Sequence, residues 1–232
     1  MDGNGRWANA RGLPRTVGHA QGEPALFDIV HGALGLGIEW LTVYTFSTEN
    51  WARDETEVQF LMQFNVDLLT RRRDELHELG VRVIFIGEDG DPRVPDEVRE
   101  RMAGAEELTK DNTKMSMVFA FNYGGRYEIG RAARAIADEV AAGTLEPGDV
   151  DEHSIAGRLY LPEMPDPDVV IRTSGEQRTS NFLLWQSAYA EYVFTPVLWP
   201  DFDTEELTRC IAEYQARERR YGGADDPFEA DE

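Results

Sequence analysis

Residues 40–86 read WLTVYTFSTENWARDETEVQFLMQFNVDLLTRRRDELHELGVRVIFI, and this stretch decides the fold. Residues 40–46 are apolar on both faces and rich in β-formers, which is typical of a buried parallel strand. Residues 55–79 carry apolar side chains spaced mainly by three or four positions, as on one face of a long helix. Val81–Ile86 is the next predicted strand and ends at Gly87. A strand, a helix and a second strand in this order indicate a right-handed crossover between parallel strands.

The same alternation continues along the rest of the chain. Predicted helices cover residues 95–110, 126–141, 152–160 and 204–220, and predicted strands cover residues 115–121, 168–172 and 191–195. We therefore expect a single α/β domain with a mainly parallel central sheet of about six strands, flanked by helices. The sequence contains neither an internal repeat nor a linker that would divide this domain.

The composition excludes several classes of protein. Of 232 residues, 23 are Lys or Arg and 44 are Asp or Glu, so the formal net charge is −21. Nucleic-acid-binding proteins and polybasic membrane anchors need a positive surface, so we expect neither here. Cys210 is the one cysteine, which excludes an internal disulfide and favours the reducing cytoplasm. Residues 222–232 hold five acids and no base, and we expect a disordered tail there.

Two groups of arginines interrupt this acidic background, both in turns rich in Gly, Ser and Asn. Arg6 and Arg15 lie near the start of the chain beside Asp2, and Arg172 and Arg178 form the second group. In open α/β sheets, ligands gather beyond the carboxyl ends of the strands, where these turns are expected. Guanidinium groups at such turns indicate pockets for a small anion such as phosphate. For either group alone, chance clustering is the alternative.

Each of these turns permits a functional and a structural interpretation. Gly3 and Gly5 let backbone N–H groups approach an anion at the start of a helix, although a glycine pair alone is only a turn signal. Asp2 could hold Mg²⁺ together with phosphate oxygens, or it could cap a helix. His19 could move a proton or donate to a diphosphate, or it could be a core or capping histidine. Residues 122–126, Asn-Tyr-Gly-Gly-Arg, could cradle phosphate or form a purely structural turn.

Taken together, these turns resemble the signature motifs of the cis-prenyltransferases, the family of the undecaprenyl diphosphate synthases. Residues 1–8 (MDGNGRWA), with Arg15 and Gly18-His19, are similar to the opening signature, and residues 46–51 (FSTENW), with Arg53, to the second. Residues 172–182 (RTSGEQRTSNF) and 190–192 (AEY) resemble the last signature, and residues 122–126 and 199–202 (WPDF) also match. The resemblance covers residues 1–221, which we expect to form the catalytic domain.

The resemblance implies a reaction and a set of site residues. The family condenses isopentenyl diphosphate with an allylic diphosphate, makes each new double bond cis, and uses Mg²⁺. Asp2 is expected to help place Mg²⁺, and Asn50 to lie where the proton is removed; which group takes that proton stays open. The substrate-binding residues are expected to be Gly3, Asn4, Gly5, Arg6, Trp7, Arg15, His19, Phe46, Ser47, Glu49, Trp51, Arg53, Arg172, Arg178 and Ser180. Of these, Arg172, Arg178 and Ser180 are assigned to isopentenyl diphosphate, and Asn4, Gly5, Arg6 and Arg15 to the allylic diphosphate.

The resemblance also implies an assembly and a product. Glu191 is expected to reach the metal region from a partner subunit, which predicts a homodimer. The growing chain is expected in an apolar tunnel between sheet and helices, and the product in the C50–C55 range from farnesyl diphosphate, as a carrier lipid for cell-wall synthesis. A cytoplasmic enzyme that contacts the inner face of the membrane for product release fits this reaction. The alternatives are a short- or medium-chain synthase, or a non-catalytic partner subunit of the same fold.

The sequence departs from the family pattern at two points. Members of the family usually carry a strand and a helix ahead of the Asp-Gly-Asn turn, so both are expected upstream of Met1. Many relatives carry His where this chain has Gln177. Because glutamine donates a hydrogen bond but does not titrate, no acid–base role is assigned there.

Overall fold

The computed structural model of the protein describes residues 1–217, apart from the side chain of Leu69. The helices are α1 (Asn4–Asn9), α2 (Arg15–Gly35), α3 (Glu55–Glu78), α4 (Asp96–Thr109), α5 (Gly125–Ala141), α6 (Glu152–Ala156) and α7 (Thr204–Gln215). The strands are β1 (Trp40–Ser47), β2 (Val81–Ile86), β3 (Met115–Tyr123), β4 (Val169–Arg172) and β5 (Glu191–Phe194). The predicted acidic tail at 222–232, and the last residues predicted for the final helix, lie outside the described residues.

All strand pairs are parallel, which confirms the predicted α/β class with a parallel sheet flanked by helices. β3 lies between β1 and β2, with Thr42 opposite Val118 and Val81 opposite Met115. β4 pairs with β5 in a separate two-stranded sheet. The described chain therefore has five strands in two sheets, not about six in one. Residues of β1 and β4 line one cavity, and no described strand pairs with β1 and β4 across it.

Burial along the strands follows from this arrangement. β3 is central, and Met117, Val118 and Ala120 are fully buried, as an apolar run with a neighbour on each side should be. In β1 only Val43 and Phe46 are buried. The prediction that residues 40–46 are buried on both faces was therefore wrong in part, because one edge of β1 borders the cavity.

The long helix α2 has no counterpart among the predicted elements. It contains Pro24 and several glycines, which are poor helix formers, and it lacks a clear apolar stripe. The glycines are required by close packing instead. A Cβ at Gly18 would lie 2.0 Å from the backbone oxygen of Asn4, and a Cβ at Gly22 would lie 2.9 Å from the ring of Trp199. Helix α1 and the turn at Trp199 therefore pack directly on the α2 backbone.

Candidate active site

The cavity between β1 and β4 has a volume of about 1290 Å³ and collects most of the predicted site residues. Asp2, Asn4, His19, Phe46, Ser47, Glu49, Asn50, Arg53, Arg172, Arg178 and Ser180 line it. Its polar end lies at the carboxyl ends of β1 and β4, where a parallel α/β sheet places ligands. Val43, Leu61 and Ile171 are among the apolar residues of the wall. The polar and apolar parts of the cavity suit an amphipathic ligand.

Asp2 joins the two arginine groups. Its Oδ2 accepts a hydrogen bond of 3.0 Å from Arg172 Nη2, and its Oδ1 lies 3.6 Å from Arg6 Nη2. Burial raises the pKa of Asp2, but the hydrogen bond and charge of Arg172 outweigh it, so the pKa lies below the ordinary value. The backbone of Asp2 is held as well, because its N–H donates to Thr173 Oγ1, which donates to the Asp2 carbonyl oxygen. Asp2 therefore does not cap α1 but ties the first turn to the loop after β4.

The loop after β4 is organised around arginine side chains. Arg172 Nη1 donates to Ser180 Oγ at 2.8 Å and to the backbone oxygen of Arg178. Arg6 reaches across from α1 and donates to Ser174 Oγ at 2.5 Å and to its carbonyl oxygen. Arg178 lies farther out and pairs with Glu176. The predicted isopentenyl diphosphate residues are thus brought together, with Arg178 at the exposed rim.

Sequence reasoning missed Glu57, which organises a second cluster. Its Oε1 lies 2.9 Å from Arg53 Nη1, 3.4 Å from Arg15 Nη2 and 3.3 Å from His19 Nε2. Burial raises the pKa of Glu57, but hydrogen bonds and charges from Arg15 and Arg53 outweigh it and keep the carboxyl ionised. Burial lowers the pKa of His19, and Glu57 opposes this only in part. The position of Glu57 after Arg53, within a charged helix start, gave no distinct signal in the sequence.

In the opening turn, two glycines allow neighbouring residues to pack closely against the backbone. Gly3 has a φ of 110°, and a Cβ there would meet Leu198 at 2.9 Å. A Cβ at Gly5 would lie 2.9 Å from the Arg15 guanidinium, so this glycine lets Arg15 reach the start of α1. Asn4 Oδ1 is buried and has no hydrogen-bond partner among the described residues. By contrast, Trp7 Nε1 donates to Asp201 Oδ1 at 2.7 Å, and Trp7 does not line the cavity.

The turn after β1 is a short 3-10 helix, Thr48–Ala52, and its shape is fixed from within. Ser47 N donates to Asn50 Oδ1 at 3.1 Å in a capping box. Glu49 Oε1 accepts a hydrogen bond of 2.8 Å from Asn181 Nδ2, which joins this turn to the loop after β4. Phe46 is buried under the turn, and Trp51 packs edge-on against it at 5.0 Å. Trp51 itself does not line the cavity.

Residues 122–126 form a structural turn in this chain. The N–H of Gly125 donates to the backbone oxygen of Asn181 at 2.8 Å, and the N–H of Arg126 donates to Asn181 Oδ1 at 2.8 Å. A Cβ at Gly124 would lie 2.9 Å from Asn181 Nδ2. The start of α5 is thus filled by Asn181, and its first N–H groups do not face a vacant phosphate position. Of the two interpretations of this motif, the structure supports the structural turn.

The residues around Asp2 fit only one kind of magnesium site. Among residues 1–217, no group of three His, Cys, Asp or Glu side chains is arranged to hold a metal ion. Mg²⁺ often binds through one or two carboxylates together with substrate phosphates, and Asp2 flanked by two arginines fits that mode. Glu191 lies elsewhere in the same chain: it is opposite Val169 in the strand pair, and its Oε2 is 2.9 Å from Arg217 Nη1. Within one chain, Glu191 and Asp2 are not brought together.

Comparisons with known proteins give a consistent result. A family model described as "Putative undecaprenyl diphosphate synthase" matches residues 1–222. The chain is 57% identical to a trans,polycis-polyprenyl diphosphate synthase of Thermobifida fusca, named as (2Z,6E)-farnesyl diphosphate specific, over 97% of this chain and 79% of the relative. It is 54% identical to a decaprenyl diphosphate synthase of Mycobacterium tuberculosis, over 97% of this chain and 75% of the relative.

Solved structures agree with this result. Lavandulyl diphosphate synthase from Lavandula x intermedia, in complex with dimethylallyl diphosphate, superposes with a TM-score of 0.92 at 37% identity, covering 96% of this chain and 95% of that one. None of the helices in the described residues has the length and apolar character needed to cross a bilayer. The motifs, the parallel α/β fold and the joined arginine loops have one explanation: this chain belongs to the undecaprenyl diphosphate synthase family of cis-prenyltransferases.

Proposed function

We propose that this protein condenses isopentenyl diphosphate units onto farnesyl diphosphate and makes a Z-polyprenyl diphosphate of C50–C55. The observation that carries the proposal is the contact of both arginine groups with Asp2, through Arg172 at 3.0 Å and Arg6 at 3.6 Å. Two diphosphates bound by these groups would lie side by side at the mouth of one cavity. Adjacent diphosphates are what a head-to-tail condensation requires.

The main contribution to catalysis expected from the polar end of the cavity is the stabilisation of charge. Arg6 and Arg15 would hold the allylic diphosphate and stabilise the negative charge that develops as it departs. Mg²⁺, held by Asp2 and phosphate oxygens, would supply further charge neutralisation. Arg172 and Ser180 would orient isopentenyl diphosphate, so that its double bond faces the allylic carbon. The buried ring of Phe46 beside the cavity would keep water from a cationic carbon.

The apolar part of the cavity supports a long product. Thr45 lines the cavity near the end of β1 and is not bulky. Phe121 is buried against Phe46 at 5.6 Å and is not among the residues that line the cavity, so it does not narrow it. A relative named for a decaprenyl product, which is C50, favours the same range. A short or medium product is the alternative.

We further propose a homodimer in the cytoplasm, with product release at the inner face of the membrane for cell-wall lipid synthesis. Glu191 pairs with Arg217 and does not lie beside Asp2 within one chain, so a metal role for Glu191 requires a second copy. The absence of a membrane-spanning helix in the described residues is compatible with peripheral contact.

Product analysis tests the proposal directly. The protein is incubated with farnesyl diphosphate, radiolabelled isopentenyl diphosphate and Mg²⁺, and the dephosphorylated products are separated by thin-layer chromatography. We expect label at the C50–C55 position and no product when Mg²⁺ is chelated. Because the primer is already C15 and each unit adds five carbons, the shortest labelled product is C20. Label that stops between C20 and C35 would contradict the long-chain product, and absence of any condensation would contradict the proposed activity.

A further inference from the structure

A closed ring of contacts connects Trp51 to the loop between β2 and α4. Trp51 Nε1 donates to Asn122 Oδ1 at 2.7 Å, and Asn122 Nδ2 donates to Asp91 Oδ2 at 3.1 Å. Arg93 donates hydrogen bonds to the same carboxylate from Nε, at 2.9 Å, and from Nη2, at 2.6 Å. The guanidinium of Arg93 then returns to Trp51, with its Cζ 4.6 Å from the ring centroid. The four side chains thus hold one another in one arrangement.

The hydrogen-bond donors and acceptors in the ring fix the orientation of the Asn122 amide. An indole N–H only donates and a carboxylate only accepts, so the Asn122 amide between them has one orientation that satisfies both. Its Nδ2 also donates to the Glu88 carbonyl oxygen at 3.0 Å, which reinforces that orientation. Asn122 is 1% exposed and Asp91 8%, so water cannot replace these partners. The hydrogen bonds from Arg93, above all, lower the pKa of Asp91 to about 2, which keeps the carboxylate ionised at neutral pH.

The loop that carries Asp91 is itself rigidly placed. Gly87 has a φ of 145°, and a Cβ there would lie 1.8 Å from the backbone oxygen of Phe121, so this residue lets the loop press against the end of β3. Arg99 donates to the backbone oxygens of Asp89, Asp91 and Val94. These contacts of Gly87 and Arg99 therefore hold the loop, and with it Asp91, in a fixed position next to Asn122.

Trp51 belongs to the 3-10 turn 48–52, but its side chain points away from the reaction cavity. Trp51 lines a groove between α3 and α4, together with Val58, Met62 and Val98, and Arg53 borders both this groove and the cavity. Asn50 and Arg53, its neighbours in sequence, line the cavity itself. The contacts of Trp51 therefore help to place Asn50 and Arg53, in addition to the capping box at Ser47 and the pair of Arg53 with Glu57.

We propose that Asp91 and Arg93 are positioning residues for prenyl transfer, acting through Asn122 and Trp51 on the turn that presents the cavity side chains. The proposal rests on the proposed function for the reaction it serves. None of the four side chains in the ring lines the cavity. Their effect on the reaction is thus indirect, and it passes through the placement of the turn.

A double-mutant cycle tests this path. Asp91→Asn keeps the side-chain shape but removes the charge that Arg93 grips, and Trp51→Phe keeps the ring but removes the indole N–H. We expect Asp91→Asn to lower kcat about tenfold, the scale of one charge-assisted hydrogen bond, and to change KM for either diphosphate less. In the Trp51→Phe background, Asp91→Asn should have little additional effect, because the path is already broken. The proposal is overturned if the losses of kcat in the two single variants multiply in the double variant. It is also overturned if Asp91→Asn leaves kcat unchanged.

A second measurement does not depend on activity. Hydrogen–deuterium exchange is followed at the backbone amides of residues 47–53 in the wild type, in Asp91→Asn and in Glu139→Gln. The last variant weakens the ion pair with Arg158, which lies outside both the ring and the cavity. We expect exchange in 47–53 to quicken about tenfold in Asp91→Asn only, by the same hydrogen-bond energy. Unchanged exchange there overturns the positioning role, whereas an inactive wild type contradicts only the proposed function.

Discussion

Arg172 and Asp2 are 170 positions apart in the sequence, yet their side chains meet at 3.0 Å between Nη2 and Oδ2. The contact joins the loop after β4 to the turn that opens the chain, and Thr173 binds the backbone of Asp2 beside it. Asp2 and Glu176 lie among Arg6, Arg172 and Arg178, with Glu176 Oε1 3.1 Å from Arg6 Nη1, so three guanidinium groups face two carboxylates at the rim of the cavity. That excess of positive charge is what bound diphosphates would neutralise.

Replacing Asp2 tests whether this carboxylate serves catalysis rather than folding. We expect Asp2→Ala to lower kcat at least about 100-fold, because the carboxylate that would share Mg²⁺ is lost. Stability should fall by at most about 1 kcal/mol, since the pair with Arg172 is partly solvated. Because the pKa of Asp2 is below 3.8, its small contribution is present above that pH and is lost on further acidification. Steady-state kinetics and thermal unfolding measure the two effects, and a fully active variant would contradict the metal role.

Glu57 and His19 give a prediction about protonation. Burial lowers the pKa of His19 below 6.5, and the hydrogen bond and charge of Glu57 raise it. Removing that charge in Glu57→Gln should therefore lower the pKa of His19 further. In both proteins the unfolded state binds more protons just below pH 6.5, so acidification there costs stability, and the variant should lose more. Titration of the histidine ring signals by NMR measures the shift, with Glu55→Gln as the control on the same helix. A higher pKa in Glu57→Gln would refute this account of the cluster.

The fold class could be predicted from the sequence because its signals are local. Residues 40–46 and 81–86 are apolar runs bounded by turns, and they form β1 and β2 with at most a one-residue difference in bounds. Helix α2 could not be predicted, since Gly18 and Gly22 weaken its helical signal, and the reason for them is a contact with Asn4 and Trp199. A packing requirement between distant segments leaves no periodic pattern.

The site was predicted in its residue types but only partly in its geometry. Motif resemblance identified Asp2, Arg172 and Ser180, and the structure brings these side chains together. Resemblance could not show that Trp51 points away from the cavity, because a motif records position in the chain and not side-chain direction. Glu57 was missed for a related reason: besides the nearby Arg53, its partners are Arg15 and His19 on α2, which lie 42 and 38 positions away in the sequence.

The space around Gly18 in α2 and Gly130 in α5 predicts opposite effects of the two Gly→Ala substitutions on stability. At Gly18 a Cβ would lie 2.0 Å from the Asn4 carbonyl oxygen, so α1 must shift, and we expect a loss of about 1–3 kcal/mol. At Gly130, in α5, a Cβ meets nothing within 4 Å, and alanine should stabilise the protein by about 0.5–1 kcal/mol. Because Asn4 lines the cavity, Gly18→Ala should also raise KM for the allylic diphosphate. Urea unfolding and kinetics check both variants, and similar stability changes would count against the packing argument.

Mixing two inactive variants tests the expected role of Glu191 across a dimer. If Glu191 serves the partner's site, a mixed dimer of Asp2→Ala and Glu191→Ala has one site with both carboxylates intact. Random exchange of subunits should then restore about a quarter of the wild-type activity, since half of the dimers are mixed and each has one working site. If Glu191 acts within its own chain, both sites of the mixed dimer are defective and no activity returns. The assay follows activity after co-refolding of equal amounts, with each variant refolded alone as the control.

Product length should respond to the volume at Thr45, which lines the cavity near the end of β1. Thr45 Oγ1 donates to the Ala120 carbonyl oxygen at 3.0 Å, which turns the hydroxyl toward β3. In Thr45→Leu a larger apolar side chain replaces this hydroxyl and should extend into the space that the growing chain occupies. We expect shorter products, while Thr45→Val, which keeps the volume and loses the same hydrogen bond, should leave the length unchanged. Mass spectrometry of the dephosphorylated lipids distinguishes the two variants, and an unaltered product from Thr45→Leu would place the chain elsewhere in the protein.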